Sequence, residues 1–102
     1  PVVSVERAKV LIIDNNPLSR MTAKDILSLD GYEVIETDEH SEITTEILEQ
    51  KPDLILLDVR NGLETCQQIK SDEQTRLIPL ILTTVADEKE MRHRCHQIGC
   101  DD

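Results

Sequence analysis

Aromatic side chains are almost missing from this 102-residue chain, which has no Trp, no Phe and a single tyrosine, Tyr32. A surface that stacks on the bases of single-stranded nucleic acid needs such rings, so their scarcity argues against that function. Positive charge is also short. Eleven Lys and Arg stand against 21 Asp and Glu, a formal net charge of −10 that repels a phosphate backbone and argues against direct nucleic-acid contact. Three cysteines, Cys66, Cys95 and Cys100, form no regular framework, and a reduced, cytoplasmic setting is the default expectation. No apolar run reaches membrane length and no signal-peptide pattern is present. With only three glycines, there is no glycine-rich phosphate loop after the first apolar run.

What remains is aliphatic. Hydrophobic residues make up 38% of the chain and charged residues 31%, a balance that suits one globular domain with an Ile, Leu and Val core. Residues 1–8 have no useful period and read as a lead-in or linker. Lys9 to Ile13 carries the continuous run VLII, which stops abruptly at Asp14. A short continuous apolar run followed by a helix is the pattern of a strand buried on both faces of a parallel sheet. Asn16-Pro17 suits a helix start, with Asn as N-cap and Pro at the first helical position. Leu18, Met21, Ile26 and Leu29 then fall roughly on one helical face, and Gly31 is placed to end the helix.

Tyr32 to Glu36 predicts a second strand. Ser41 begins a second helix with Ile43, Ile47 and Leu48 as its apolar side, broken at Lys51-Pro52. Residues 53–58, DLILLD, form the second conspicuous apolar run, which again ends on an aspartate, Asp58. A third helix is expected over Leu63 to Lys70 and a fourth strand over Ile78 to Thr84. Met91, Cys95 and Ile98 share the inner face of a fourth helix that Gly99 should stop. Alternating strands and helices predict an α/β layer fold with a parallel sheet and right-handed crossovers.

In such a sheet, ligands bind outside the carboxyl ends of the strands, where strand order reverses. Asp14, Asp58 and Thr84 stand at three of those ends. If the first and third strands are neighbours, Asp14 and Asp58 lie side by side. Two carboxylates held close repel one another unless a cation sits between them, and oxygen ligands suit a hard ion such as Mg²⁺.

The segments VLIIDNNPLSRM, GYEVIET, KPDLILLDV, GLETCQQIK, IPLILTT and IGCDD, in that order from Lys9 to Asp102, resemble the receiver domain of bacterial two-component response regulators. The resemblance implies a flavodoxin-like, doubly wound parallel sheet of order 2-1-3-4-5, whose fifth strand and last helix fall beyond Asp102. Residues 9–102 would then be a C-terminally incomplete receiver domain. It also implies a phospho-accepting signalling domain rather than an enzyme, one that takes a phosphoryl group from a sensor histidine kinase or phosphotransfer protein. By position, Asp58 matches the phospho-acceptor, Asp14 the first acidic residue that holds Mg²⁺, and Thr84 the switch hydroxyl. Dimerisation is a family expectation, and no membrane contact is implied.

Four departures stand out, one of them Val85, where the family favours a smaller residue, so its bulk would restrict access of water or phosphodonor to Asp58. Asn15 falls where the second acidic residue usually stands, which predicts a weakened metal site. The loop after Asp58 runs straight through Val59-Arg60-Asn61-Gly62, shorter than usual, so the Arg60 backbone carbonyl takes the position of a metal ligand. The usual lysine after the fifth strand has no counterpart. Asn15 and the short loop leave a rival reading open: a pseudo-receiver that docks proteins without being phosphorylated. An aspartyl-phosphate hydrolase would want a carboxylate two residues after the nucleophile, where this chain has Arg60. The group His93, Cys95, His96 and Cys100 has no usual zinc spacing, and Cys95 and Cys66 read as small core residues.

Overall fold

The protein is described from a computed structural model covering residues 7–38, 40, 42–58 and 62–83, with side chains at 62 and 63 excepted. The predicted fourth helix, with Met91, Cys95, Ile98 and Gly99, lies outside the described residues. So do Val59, Arg60, Asn61, Thr84, Val85, His93, His96 and Cys100.

The described chain runs β1 (Lys9–Ile13), α1 (Pro17–Leu29), β2 (Glu33–Thr37), α2 (Ile43–Gln50), β3 (Leu54–Asp58), α3 (Gly62–Ser71) and β4 (Leu80–Thr83). The four strands form one sheet in the order β2-β1-β3-β4 with every pairing parallel. The doubly wound α/β order expected from the sequence is therefore present. Strand starts and ends agree to within one residue for the first three strands, and β4 begins at Leu80, two residues after the expected Ile78.

The turns follow from local chemistry. Asn16 caps α1 by accepting from the backbone N–H of Leu18 at 2.9 Å and Ser19 at 3.3 Å, and Pro17 needs no donor there. At the other end Gly31 takes φ 92, a left-handed conformation that L side chains resist. There Tyr32 N–H donates to Leu27 O and Gly31 N–H to Ser28 O, the paired bonds of a Schellman ending. Lys51 also turns left-handed, at φ 52, and closes α2 immediately before Pro52. A residue preceding proline is disfavoured in the right-handed helical region, so the helix has to stop there.

Alternation along the strands sorts the core onto two faces. Leu11, Ile13, Ile55, Leu57 and Leu80 join Ile43 and Ile47 of α2 and Cys66 and Ile69 of α3 in one fully buried cluster. Val10 and Ile12 are buried on the opposite face, the side of α1. On that second face Leu54, Leu56 and Ile81 are half-buried, less enclosed among the described residues than the main cluster. Below the main cluster, the buried Thr75 hydroxyl donates to Ile69 O at 2.6 Å, and Lys70 Nζ donates to the carbonyls of Arg76 and Ile78. These bonds fold the α3–β4 connection back onto the end of its helix.

The apolar stripe of α1 does not face the sheet. Leu18, Met21, Ile26 and Leu29 are 68%, 53%, 58% and 88% exposed, while Ser19, Ala23 and Leu27 are half-buried. Residues four apart share a helical face, so 19, 23 and 27 form a row of their own, and this row of small and medium side chains lies inward. In α2, Ile43 and Ile47 are buried as expected, whereas Leu48 at its edge is 38% exposed. Cys66 is buried, as its core reading requires.

This asymmetry predicts opposite responses to truncation. Ile47→Ala should destabilise the protein by about 2–5 kcal/mol through lost burial and a residual cavity, while Leu29→Ala should stay within about 0.5 kcal/mol. Urea denaturation of the two variants measures both, and equal losses would contradict the assigned faces.

Candidate functional site

The two aspartates that end the apolar runs come together because of strand register. β1 and β3 are neighbours, and Ile13 pairs with Leu57. The next residue of each chain, Asp14 and Asp58, therefore continues the same register at the carboxyl edge of the sheet. Adjacent strands lie about 4.8 Å apart, so the two acids leave the sheet side by side. On the far side of β3, Asp58 pairs with Thr83. Asp14, Asp58 and Thr83 thus form one row across the rim.

Asp14 is held from three directions. Its backbone N–H donates to Thr37 O at 3.0 Å, extending the β1–β2 ladder one residue past the strand. Its backbone carbonyl accepts from Arg20 Nη1 at 3.0 Å. Its carboxylate Oδ1 accepts from the Asn16 backbone N–H at 2.8 Å, closing an Asx turn around Asn15. Asp14 is 7% exposed, a level at which a carboxylate needs such partners. Asn15 itself is exposed and Asp58 is half-buried.

A second polar group lies on the same rim. Thr37, whose carbonyl holds Asp14, donates from Oγ1 to Glu46 Oε2 at 3.0 Å. His40 Nε2 lies 2.5 Å from the same carboxylate oxygen, and His40 Nδ1 accepts from the Glu42 backbone N–H. The β2–α2 connection is thereby tied to the end of β2. Neither Arg20 nor this His40–Glu46 pair was indicated by sequence pattern, because each acts on backbone or across a loop with no diagnostic spacing.

The oxygen donors brought together are the carboxylates of Asp14 and Asp58, with the Asn15 amide adjacent in sequence to Asp14. Among the described residues no group of three His, Cys, Asp or Glu side chains is arranged to hold a metal. A divalent ion such as Mg²⁺ keeps several waters and takes one or two protein carboxylates, so two acids on a rim fit its needs. Of the other expected site residues, Thr84 and Arg60 lie outside the described residues. No helix among the described residues is long and apolar enough to cross a membrane.

Comparison with known proteins gives a consistent result. The response regulator receiver domain family matches residues 10–102. The polar-differentiation response regulator DivK of Brucella ovis is 35% identical over 90% of this chain and 78% of its own length. Among solved structures, the signal receiver domain of a signal transduction histidine kinase from Syntrophus aciditrophicus is similar, with a TM-score of 0.79. It is 28% identical and the match covers 93% of this chain and 75% of that one. The chemotaxis response regulator CheY4 of Vibrio cholerae shares the fold, with a TM-score of 0.80, 23% identity, and coverage of 93% and 82%.

The Asn16 side chain caps the start of α1, while its backbone N–H, which any residue there keeps, closes the Asx turn at Asp14. Asn16→Ala should cost about 1 kcal/mol, within a usual range of 0.5–2 kcal/mol, and lower the thermal midpoint by several degrees. A melting curve that superimposes on the wild type would show that the cap carries no stability.

Proposed function

The chain belongs to the response regulator receiver domain family, and from that premise we propose that Asp58 accepts a phosphoryl group, with Asp14 and Asp58 holding Mg²⁺ beside it. The observation that supports this reading is the shared register of Ile13 and Leu57, which brings the two carboxylates to one edge of the sheet. The donor would be a phosphohistidine on a sensor histidine kinase or phosphotransfer protein. An oxygen of the Asp58 carboxylate bonds to phosphorus as the P–N bond breaks, and the electron pair of that bond leaves with the imidazole nitrogen. The product is an acyl phosphate on Asp58. When bound, Mg²⁺ offsets the repulsion between the entering carboxylate and the phosphoryl oxygens. The protein's own contribution is placement: Asp58 stands half-buried at the strand end, and Asp14 is fixed beside it.

Phosphorylation adds about −1.5 to −2 of charge at the rim and new acceptor oxygens. Thr84, the residue after Thr83, is proposed as the hydroxyl that donates to them, so that the segment carrying it changes its preferred conformation. Asn15 retains a carbonyl oxygen but lacks the charge of a second acidic residue, so the metal is held by fewer charges. The Arg60 backbone carbonyl is proposed as a further ligand. A cytoplasmic location accords with this role.

Incubation with acetyl phosphate and Mg²⁺ should add one phosphoryl mass by intact mass spectrometry, and Asp58→Asn or chelation of the metal should abolish it. No mass addition to the wild type would favour the rival reading of a docking module that is not phosphorylated. Asn15→Asp should tighten Mg²⁺ binding by roughly tenfold through its added ligand charge. Titration calorimetry on both proteins tests this, and equal affinities would count against Asn15 as the cause of a weak site.

A further inference from the structure

Arg20 occupies a place that its charge disfavours. It lies in the first turn of α1, where the helix dipole is positive, and that turn contains no acidic residue. A cation here is unfavourable unless a specific interaction offsets it. The interaction present is the bond from Arg20 Nη1 to the backbone carbonyl of Asp14 at 3.0 Å, made across the β1–α1 turn by a half-buried side chain.

The effect on Asp14 follows from the other bonds in the turn. The Asp14 N–H is tied to Thr37 O on the β2 side, and Arg20 ties its carbonyl on the α1 side. Arg20 is itself fixed by its backbone N–H, which donates to Asn16 O at 3.0 Å. The peptide groups on both sides of Asp14 are therefore held, and Asn16 N–H fixes Oδ1 of the carboxylate. Without the guanidinium, the Asp14 carbonyl loses its bond to α1, which loosens the 14–15 peptide and with it the setting of the Asp14 carboxylate.

We propose that Arg20 is a positioning residue for the metal site: by clamping the Asp14 carbonyl, its guanidinium fixes the Asp14 carboxylate towards the cation held beside Asp58. This rests on the reading of Asp14 and Asp58 as Mg²⁺ ligands. Groups that orient metal ligands without touching the ion typically carry a 10- to 100-fold share of metal affinity. The opposite sign is the natural competing expectation. A positive guanidinium close to a divalent cation repels it, and on electrostatics alone its removal would strengthen binding.

The sign of the effect decides between them. Arg20→Met keeps the aliphatic stem but removes charge and donor; Arg20→Lys restores both at similar reach. Two measurements are made on the full chain: Mg²⁺ affinity by titration calorimetry, and amide exchange at Asn16 by NMR in metal-free protein. The clamp predicts about tenfold weaker Mg²⁺ binding and clearly faster Asn16 exchange in Arg20→Met, with both largely recovered in Arg20→Lys. Unchanged or tighter Mg²⁺ binding in Arg20→Met overturns the proposal. A wild type that binds no Mg²⁺ removes the metal reading and the proposal with it. The metal-free exchange data distinguish that failure from a failure of the clamp.

Discussion

The in-register parallel pairing of β1 with β3 is the constraint from which the rest of the structure follows. Both strands are apolar on both faces, and an aspartate stands at the carboxyl end of each, Asp14 just after β1 and Asp58 as the last residue of β3. Side chains alternate with a period of two, so a slip of one residue would exchange the two faces of β1 and set Asp14 opposite an apolar partner. Burying an unpaired carboxylate inside the sheet would be costly, so the acids can stand only where the ladder ends. The feature that makes these runs good strands therefore also delivers their acids to a common edge. Fold and site are specified by the same residues.

Asp14 is supported by three elements, not by its own strand alone. Thr37 belongs to β2, Arg20 to α1, and Asn16 to the turn between β1 and α1. Thr37 is in turn bonded to Glu46 of α2, which also holds His40. A carboxylate at the sheet edge is thus linked through short polar contacts to helices on both faces. The salt bridge from Lys24 to Glu36, at 3.9 Å between partly exposed groups, adds little to this arrangement.

Much of the fold was legible because strands and turns carry local signals. The run from Lys9 to Ile13, the Asn16-Pro17 start and the Lys51-Pro52 stop each have a steric or hydrogen-bonding cause confined to a few residues. The direction of α1 was not legible in the same way. Leu18, Met21, Ile26 and Leu29 form a genuine apolar stripe, but periodicity identifies a stripe without naming what covers it, and the sheet is met by Ala23 and Leu27. The pairing of Asp14 and Asp58 was legible because it needed only strand order. Arg20 was not, since donation to a main-chain carbonyl leaves no trace in residue type or spacing. The expected roles of Thr84 and Arg60 fall on positions outside the described residues.

Glu46 joins two parts of the rim through a single carboxylate oxygen. Its Oε2 accepts from Thr37 Oγ1 and lies against His40 Nε2, while the Thr37 backbone carbonyl accepts from the Asp14 N–H. Loss of that carboxylate would strip Thr37 and His40 of their common partner and leave the main-chain bond to Asp14 in place. The backbone therefore sets where Asp14 stands, and a side chain of α2 sets how His40 is held behind it.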